Sequence, residues 1–390
     1  MWQSKGVRIT MIKVLEVSSD SNIGGAGKCI LTFLKNFDRE KFDVSVVLPE
    51  GSLLTPEAEA LGVKVYEMKH LAEKSLDKKA IKVLKELFKE LKPDIVHTHA
   101  SMSARIAAKL CGIKVVYTRH SVFPPSKLIS RFPGKLANGI INNSTADKII
   151  AVAEAAKDNL TATGVSEKKI SVILNGVEPL IPYSKEKVAE LKAELGIGED
   201  EKVAVMAARL NTVKGHKYFV EAAKILKEKG VKFKFLIAGT GDEEENIKKQ
   251  INELGLQNEV KLLGFLSDVE PLMNIMDVQV NCSFGTEATS LALLEGMSLG
   301  KPAVVTDFGG NPGVITNGVN GYLTPTHNGK ATAECIEKLF CDGELYEKMQ
   351  KECIKVYNEK FTATVNTRNI EDIYIDVINK QKGNKSYEER

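Results

Sequence analysis

Short runs of β-branched and apolar residues alternate with amphipathic helical patterns along almost the whole chain. Each run has the length of one buried strand, and the gaps hold helical spacing, most clearly in Leu76–Leu91. This rhythm predicts an α/β fold, in which parallel sheets are covered by helices. The strands predicted in the first half are Ile12–Val17, Val44–Leu48, Val63–Tyr66, Ile95–Thr98, Val115–Thr118 and Lys148–Val152. Those predicted in the second half are Val203–Ala207, Phe233–Ala238, Val260–Leu263, Val278–Asn281 and Ala303–Thr306.

A charged interruption divides this alternation into two similar halves. The segment Tyr183–Lys202 is rich in lysine and glutamate, and the strand rhythm restarts after it. We therefore expect two doubly wound, Rossmann-like domains facing a cleft, at residues 1–180 and 201–360, joined by a linker at 181–200. A length of 390 residues agrees, since domains average roughly 150 residues. Ligands of such sheets bind beyond the carboxyl ends of strands, so the turns after strands are where chemistry is expected.

Composition narrows the class of protein. A net charge of +3 on 390 residues gives no reason to expect a nucleic-acid partner. The six cysteines include no C-x-x-C pair, which argues against zinc and dithiol motifs and fits a reducing cytoplasm. No apolar run approaches the roughly 20 residues that span a bilayer, and the start of the chain lacks a secretory h-region. We expect a cytoplasmic protein, for which Met11 is an alternative start to Met1.

Glycines follow the first predicted strand. Gly24, Gly25 and Gly27 allow backbone to approach a ligand, and the helix that follows favours an anion at its N-terminus. Their spacing is neither G-x-G-x-x-G nor a P-loop. A tight turn that binds nothing is the alternative interpretation.

Histidines end two other predicted strands of the first half. His97 and His99 follow one strand, and His120 follows the next. Zinc needs three or four ligands, and no cysteine or acidic residue has a suitable spacing, so we expect no metal. Each histidine can also be a hydrogen-bonded polar side chain at a strand end. His120 is the strongest candidate for a site residue, because its strand is expected to end at the cleft.

Two cations follow the first strand of the second half. Arg209 provides a fork of donors and Lys214 a point charge, a combination that suits a diphosphate. By themselves they could be ordinary surface cations. A second glycine-rich turn, Gly239–Asp242, follows the next strand and adds another place where backbone can approach a ligand.

The turn after Val278–Asn281 carries the most chemistry. Glu287 lies on a loop, and Thr289 or Ser290 is a natural N-cap for the helix that follows. The free N–H groups and the positive end of that helix suit a phosphate. Glu295 lies about one and a half turns into the helix, where a carboxylate can accept hydrogen bonds from ribose hydroxyls. Both acids could instead be solvated residues of a helix end.

In their order along the chain, these motifs resemble those of GT-B-fold retaining glycosyltransferases of family 4. The match extends from Met11 to about Phe361, and the spacing of Glu287 and Glu295 makes it specific. The matching segments are Gly24-Gly25, Val96–His99, Thr118–His120, Ile149–Glu154, Asn175–Val177, Arg209-Leu210, Lys214-Gly215, Ala238–Asp242, Leu262–Phe265, Glu287 to Glu295 and Gly300–Pro302. The resemblance implies a GT-B fold in which residues 361–390 form a helix crossing back to the first domain, followed by a polar tail.

The resemblance also implies a nucleotide-sugar donor bound by the second domain. A UDP-sugar is expected, because it is the most frequent donor in the family. Gly25 is implied to let the first domain close on the diphosphate. The complete set implied to contact the diphosphate is Arg209, Lys214, Gly25, Thr289, Ser290 and Leu291.

On the sugar side, the resemblance implies that Glu295 binds the ribose and that Glu287 contacts the transferred sugar. His120 is implied to lie near the reacting centre, so Glu287 and His120 are the expected catalytic residues. The chain departs from the family after Glu287, where Ala288-Thr289-Ser290 replaces Gly-x-Pro. We therefore expect a differently shaped sugar pocket.

Cleavage of the anomeric C–O bond leaves a diphosphate whose negative charge grows in the transition state. Arg209, Lys214 and the helix dipole would stabilise that charge where it develops. The sequence contains no D-x-D triplet, the usual signature of metal-dependent sugar transfer. We therefore expect a metal-independent hexosyltransferase without a cofactor. Retention of anomeric configuration is implied by the resemblance alone.

On the acceptor side, the segment from Phe123 to Leu136 mixes cations with apolar residues. Lys127, Arg131 and Lys135 would lie on one face of a helix if Pro133 permits one, a face that attracts anionic lipid. The alternative is a solvated helix face. The expected acceptor is a glycan, a glycolipid or a small molecule in cell-surface glycan assembly, with peripheral contact to the inner face of the membrane as a hypothesis.

Two other functions are compatible with this fold. A sugar-nucleotide epimerase is disfavoured by the full set of Arg209, Lys214, Glu287 and Glu295. A catalytically silent nucleotide-sugar-binding protein would need a broken site, whereas all four residues are present.

Overall fold

The computed structural model describes residues 11–71, 76–122 and 125–388, with side chains described up to residue 380. Within these residues the strands form two parallel sheets. The strands of the first are β1 (Ile12–Ser18), β2 (Phe42–Pro49), β3 (Lys64–Met68), β4 (Ile95–His99), β5 (Lys114–Arg119), β6 (Lys148–Ala151) and β7 (Ile170–Val172). Those of the second are β8 (Lys202–Ala207), β9 (Phe233–Ala238), β10 (Val260–Gly264), β11 (Val278–Asn281), β12 (Ala303–Thr306) and β13 (Gly321–Thr324).

The two sheets share one doubly wound topology. The first has the order β3-β2-β1-β4-β5-β6-β7, and the second the order β10-β9-β8-β11-β12-β13. All strand pairs in both sheets are parallel. The central strands are buried on both faces, which explains why they are continuous apolar runs in the sequence. The α/β prediction of two Rossmann-like domains of the GT-B type is therefore confirmed. The sequence analysis did not predict β7 and β13, which are short strands at the sheet edges.

Helices cover both sheets. Those that accompany the first sheet are α1 (Gly25–Asn36), α2 (Leu54–Ala60), α3 (Lys78–Leu91), α4 (Met102–Leu110), α5 (Lys127–Ser130), α6 (Gly134–Thr145) and α7 (Glu154–Ala162). The remaining helices are α8 (Lys185–Glu194), α9 (His216–Glu228), α10 (Glu244–Glu253), α11 (Glu270–Ile275), α12 (Leu291–Ser298), α13 (Asn311–Val314), α14 (Gly329–Cys341), α15 (Gly343–Lys360) and α16 (Ala363–Glu388). Single 3-10 turns lie at Glu167–Lys169 and Thr212–Lys214.

Helix α3 shows how the sequence sets an element boundary. The apolar spacing predicts a helix from Leu76, but α3 begins at Lys78 because Asp77 is its N-cap. The Asp77 carboxylate accepts hydrogen bonds from the backbone N–H groups of Lys79 and Ala80, at 2.6 and 3.1 Å, and these bonds lower its pKa. The residues that α3 buries, Ala80, Leu84 and Phe88, are spaced by one helical turn.

The segment predicted as a linker, residues 181–200, contains helix α8. Val188, Leu191 and Leu195 pack against the core of the second sheet, and Asn274 on α11 bonds to the backbone of Tyr183 and Ile181. The segment is therefore packed onto the second sheet along its length. The charged residues that led to the linker interpretation form the solvent side of an amphipathic helix.

The last helix returns to the first sheet. Tyr374 and Val377 of α16 are buried in the core that also contains Phe33, Phe42 and Val116. The predicted crossing helix is therefore confirmed, and it continues to Glu388 through most of the stretch that was expected to be a polar tail. Phe361 and Val177 tie the crossing together, through a hydrogen bond of 3.0 Å from the Val177 N–H to the Phe361 carbonyl.

Candidate active site

The turns that carry the predicted site residues lie at equivalent positions in the two sheets. In each sheet the strand order reverses beside the first strand, between β1 and β4 and between β8 and β11. Such a switch point leaves a crevice at the carboxyl ends of the strands. The glycine turn after β1 and the histidines at the end of β4 lie at one crevice. The Arg209 turn after β8 and the Glu287 loop after β11 lie at the other.

Helix α12 begins at the second crevice. Ser290 is its N-cap, since the Ser290 Oγ accepts a hydrogen bond from the Leu293 N–H at 3.4 Å. The helix begins at Leu291, so the backbone amides of its first turn face the crevice without helical partners. The first turn contains no acidic residue, which leaves the positive end of the helix uncompensated locally. An anion fits this position.

Glu287 is buried beside this helix. It is 7% exposed, and its Oε2 accepts hydrogen bonds from Asn281 Nδ2 at 2.9 Å, Ser283 Oγ at 2.7 Å and Lys214 Nζ at 2.9 Å. Three donors on one oxygen hold the carboxylate in a single orientation. Asn281 and Ser283 were not assigned roles in the sequence analysis, although both lie in the segment that it singled out.

The Glu287 loop is also held from the opposite side, by the turn after β12. The Gly310 N–H donates to the Glu287 carbonyl at 3.1 Å. Gly309 has a φ of +62°, and a Cβ there would lie 2.2 Å from the same carbonyl oxygen. This glycine pair after a strand is a sequence signal that the analysis missed.

Lys214 reaches Glu287 from the turn after β8. Its Nζ contacts Glu287 and also donates to the Thr286 carbonyl at 3.3 Å, and its side chain is 20% exposed. Two residues with separately predicted roles thus form one ion pair. An ammonium group has three N–H donors, so Lys214 keeps one for a further anionic partner.

Arg209 and Glu295 line a cavity of about 370 Å³ between the two sheets. Arg209 is exposed, and its guanidinium has no hydrogen-bond or ion-pair partner among the residues that the structure describes. Glu295 has 13% of its side chain exposed, and burial raises its pKa although Lys28 opposes the shift. The Lys28 Nζ lies 3.8 Å from Glu295 Oε1, so this pair connects α1 to α12. The sequence analysis gave Lys28 no role.

A second cavity of about 370 Å³ adjoins the first and shares Lys28, Leu291 and Glu295 with it. The rest of its lining comes from α1, α2 and the segment around Val177. Together the two cavities open the region between the sheets for an elongated ligand.

Thr289 contacts the first sheet. Its Oγ1 donates to the Val152 carbonyl beyond β6, and its carbonyl accepts a hydrogen bond from Asn175 Nδ2 at 3.4 Å. The side chain is therefore used in packing between the sheets. The role predicted for Thr289 concerns its backbone amide, which this contact leaves free.

Gly25 is the first residue of α1. A Cβ added to it would meet no atom within 4 Å, and its φ lies outside the left-handed region. Packing in this structure therefore does not require glycine at this position. The close approach of a ligand remains the physical reason predicted for it.

His120 belongs to a chain of side chains at the first crevice. Its Nε2 lies 2.7 Å from His99 Nδ1, and His99 Nε2 lies 2.7 Å from Glu16 Oε2. Burial lowers the pKa of His120 well below its usual value, with further lowering by His99 and His97. Burial also lowers the pKa of His99, while Glu16 opposes that shift.

Glu16 is the centre of this cluster. Its Oε1 accepts from Tyr374 at 2.7 Å and lies 3.0 Å from His97 Nδ1. Burial raises the pKa of Glu16, but His97 and His99 outweigh burial and hold the pKa far below its usual range. The sequence analysis missed Glu16 and Tyr374, because a single acid inside a strand and a tyrosine in the last helix carry no local signal.

Glu16, His97 and His99 have the composition of a metal-ligand set, and they are the one such group found among the described residues. The argument from sequence found no acidic partner near the histidines, because Glu16 comes from the neighbouring strand. In this structure their ring nitrogens and carboxylate oxygens hydrogen-bond to one another and to Tyr374, Thr118 and His120.

The segment predicted to face an acceptor or a membrane does not form one helix. Helix α5 ends at Ser130, Pro133 separates it from α6, and Lys127, Arg131 and Lys135 therefore do not share a helix face. All three cations are exposed. The surface between them is apolar, with Leu128 80% and Phe132 83% exposed. Phe123 and Pro124 of the predicted segment lie outside the described residues.

The fold defines a class of protein: two parallel, Rossmann-like sheets covered by helices, as in GT-B glycosyltransferases. Residues 23–179 match the family model described as Glycosyltransferase Family 4, and residues 187–356 match that of Glycosyl transferases group 1. The chain belongs to this glycosyltransferase family, so it is identified as a transferase that moves sugars.

Two bacterial relatives match three quarters of this chain or more. The chain is 30% identical to the UDP-Gal:alpha-D-GlcNAc-diphosphoundecaprenol alpha-1,3-galactosyltransferase of Escherichia coli, covering 94% of this chain and 97% of the relative. It is 29% identical to the N-acetyl-alpha-D-glucosaminyl L-malate synthase of Bacillus anthracis, covering 75% and 77%. The crystal structure of Anabaena HepE with UDP has the same fold, with a TM-score of 0.82 at 22% identity over 94% of this chain and all of HepE.

Proposed function

We propose that the protein transfers a sugar from a UDP-sugar to an acceptor hydroxyl with retention of anomeric configuration and without a metal ion. The observation that carries this proposal is the grouping at one crevice of the Lys214–Glu287 pair, the free N-terminus of α12, and the Arg209–Glu295 cavity. A diphosphate at the helix N-terminus would lie within a positive field from the helix, Lys214 and Arg209. Glu295 would accept hydrogen bonds from the ribose, and Glu287 would contact the sugar.

The choice of UDP is supported by relatives. The Escherichia coli relative is named as a user of UDP-Gal, and HepE has been crystallised with UDP, with UDP and glucose, and with UDP-glucose. The decisive experiment is calorimetry with UDP-, GDP- and ADP-sugars, followed by transfer assays with those that bind. We expect micromolar binding of a UDP-sugar only. Equal affinity for GDP- or ADP-sugars would reject the proposed base.

Retention and metal independence are tested in the same assay. We expect the product linkage to keep the α configuration of the donor, as read by NMR of the anomeric proton, and we expect EDTA to leave turnover unchanged. Inversion, or loss of activity that a divalent cation restores, would contradict the proposal. Binding of UDP-sugar without transfer or hydrolysis would instead support a silent binding protein. Formation of an epimerised nucleotide sugar would support an epimerase.

We further propose that the acceptor is presented at a membrane surface, which makes the protein a peripheral enzyme of the cytoplasmic side in cell-surface glycan assembly. No helix among the described residues is both long enough and apolar enough to cross a bilayer. Between Asp94 and Asp147 the sequence contains no acidic residue. Of the cations of this stretch, Lys127, Arg131 and Lys135 are exposed. Arg105 is buried, and Lys109 and Lys114 pair with Asp147.

The exposed apolar residues beside Lys127, Arg131 and Lys135 support insertion into a lipid surface. Leu128, Phe132, Leu136 and Ile140 are exposed by 80, 83, 57 and 60%. Each Lys or Arg near an anionic surface contributes about 1 kcal/mol. We expect sedimentation with phosphatidylglycerol vesicles at low salt but not with phosphatidylcholine vesicles. Phe132→Ser should weaken this binding, whereas Leu53→Ser, a control at another exposed leucine, should not. Equal sedimentation with both lipids would contradict the proposal.

A further inference from the structure

Glu16, His99 and His120 form a continuous hydrogen-bonded chain from the interior of the first sheet to the crevice. Glu16 is 1% exposed, His99 is 7% exposed, and His120 is partly exposed. The two contacts that connect them, His99 Nε2 to Glu16 Oε2 and His99 Nδ1 to His120 Nε2, are both 2.7 Å long. The buried Glu16 carboxylate at one end of this chain determines which ring nitrogen carries the proton in His99 and in His120.

The order of the protons follows from the carboxylate. An ionised carboxylate only accepts hydrogen bonds, so the contact with Oε2 requires His99 to carry its proton on Nε2. In a neutral ring the other nitrogen, His99 Nδ1, is then an acceptor. His120 Nε2 must therefore donate to it, which leaves His120 Nδ1 unprotonated. His120 Nδ1 has no hydrogen-bond partner among the described residues.

We propose that Glu16 and His99 are positioning residues that hold His120 with its proton on Nε2, so that Nδ1 accepts a hydrogen bond from a substrate hydroxyl. The substrate is the sugar donor or the acceptor of the proposed glycosyl transfer, and the proposal depends on that function for the identity of the hydroxyl. The internal proton order does not depend on it.

The other oxygen of Glu16 provides a natural comparison. Glu16 Oε1 accepts from the Tyr374 hydroxyl and from His97 Nδ1, while His97 Nε2 lies 2.6 Å from Thr118 Oγ1. This branch supports the same carboxylate but does not lead to the crevice through His120. Loss of the Tyr374 hydroxyl should therefore leave the proton on His120 in place, whereas loss of the carboxylate charge should not.

The first experiment is NMR of the wild-type protein with ¹⁵N-labelled histidine, without substrate. His120 is assigned by the signals that disappear in His120→Asn. We expect a pyrrole-like shift for His120 Nε2 and a pyridine-like shift for Nδ1 at neutral pH. The opposite assignment in the wild-type protein would overturn the proposal. This measurement needs no active enzyme, so it remains decisive if the transfer assay fails and the proposed function falls.

The second experiment compares substitutions at His120. An asparagine Oδ1 can occupy the place of Nδ1, whereas a glutamine amide reaches the place of Nε2. We expect kcat/KM to fall about tenfold in His120→Ala, the size of one lost hydrogen bond, and to fall less in His120→Asn than in His120→Gln. Better activity in His120→Gln than in His120→Asn would contradict the role of Nδ1, and would indicate that His120 serves only to contact His99.

The third experiment separates positioning from packing. In Glu16→Gln, the glutamine amide can donate a hydrogen bond to His99, which permits the reversed proton order. We therefore expect a mixture of His120 tautomers and a kcat/KM about tenfold lower than that of the wild type. Tyr374→Phe should leave both within about threefold of wild type. Equal effects of the two substitutions would show that the cluster acts only through packing. A parallel loss of transfer and of donor hydrolysis in His120→Ala would assign the hydroxyl to the donor, and a selective rise in acceptor KM would assign it to the acceptor.

Discussion

The Lys214–Glu287 pair gives the sharpest test of the site, because Glu287 is buried, Lys214 is partly buried and both have predicted roles. Lys214→Met removes one of three donors to a carboxylate that is 7% exposed. Breaking a buried ion pair from one side costs about 3–5 kcal/mol. Asn281 and Ser283 continue to donate, so we expect the lower end of that range. At about 2–4 °C per kcal/mol for a domain of this size, Tm should fall by about 6–12 °C.

The double variant distinguishes an ion pair from two independent contributions. Glu287→Gln keeps an oxygen that accepts from Lys214, so it should cost less than Lys214→Met. Lys214→Met combined with Glu287→Gln leaves no buried charge, and its stability should return to within about 1–2 kcal/mol of wild type. Lys187→Met is a matched control, since the Lys187–Glu190 pair has the same distance of 2.9 Å but is exposed, and it should cost less than about 1 kcal/mol.

Ligand binding separates the roles of the two residues. Lys214→Met removes a cation from the predicted diphosphate position and leaves a buried anion beside it, so UDP affinity should fall about 10–100-fold. Glu287→Gln and Glu287→Ala should keep UDP affinity nearly unchanged and lower transfer at least about 100-fold. The measurements are thermal unfolding, calorimetry with UDP and turnover. Additive destabilisation in the double variant would refute the coupling, and unchanged turnover in Glu287→Ala would refute its catalytic role.

Three further predictions concern neighbouring positions. Burial raises the pKa of Glu295. The ionised carboxylate accepts from ribose hydroxyls through both oxygens and more strongly than the protonated group does. UDP affinity should therefore fall as the pH drops through this raised pKa, and calorimetry should find no such fall in Glu295→Gln. Gly25→Ala meets open space, so Tm should stay within about 2 °C of wild type while UDP affinity falls; unchanged affinity would remove the reason predicted for this glycine. Gly309→Ala places a Cβ 2.2 Å from the Glu287 carbonyl oxygen at a residue whose φ is +62°. Both Tm and turnover should therefore fall. Normal turnover would show that the Glu287 loop tolerates displacement.

Features that depend on local pattern were predictable from the sequence. Strand β8 is an apolar run in the sequence, and the 3-10 turn that follows it ends just before Gly215. Gly215 has a φ of +74° and is the N-cap of α9. The N-cap at Ser290 follows from the preference of serine for that position. The sequence therefore predicts that the motif residues lie at strand ends, as they do in the structure, because the periodicity of an α/β chain indicates where each strand ends.

Contacts between distant segments could not be predicted in the same way. Glu16 lies in the middle of an apolar strand, and only the placement of β1 beside β4 brings it to His97 and His99. Tyr374 reaches the cluster from the last helix, and the contact of Thr289 with Val152 crosses between the sheets. Each of these contacts depends on the order of the strands or on the path of the last helix, and neither can be inferred from the identity of a single residue. The sequence analysis made the helix conditional on Pro133, and the structure places Pro133 between two helices, as the N-cap of α6.

The contacts between the sheets use the same residues that are predicted to bind the nucleotide. The Lys28–Glu295 contact is 3.8 Å long with half of the lysine side chain exposed, and such pairs contribute about 0–1 kcal/mol. A ribose that offers two hydroxyl donors to Glu295 can replace so weak a partner without a large penalty. Lys28 would then be released beside the diphosphate, where it adds a cation from the first domain. Nucleotide binding should therefore exchange a weak contact between the domains for one that passes through the ligand, which couples occupation of the donor site to the closure of the cleft.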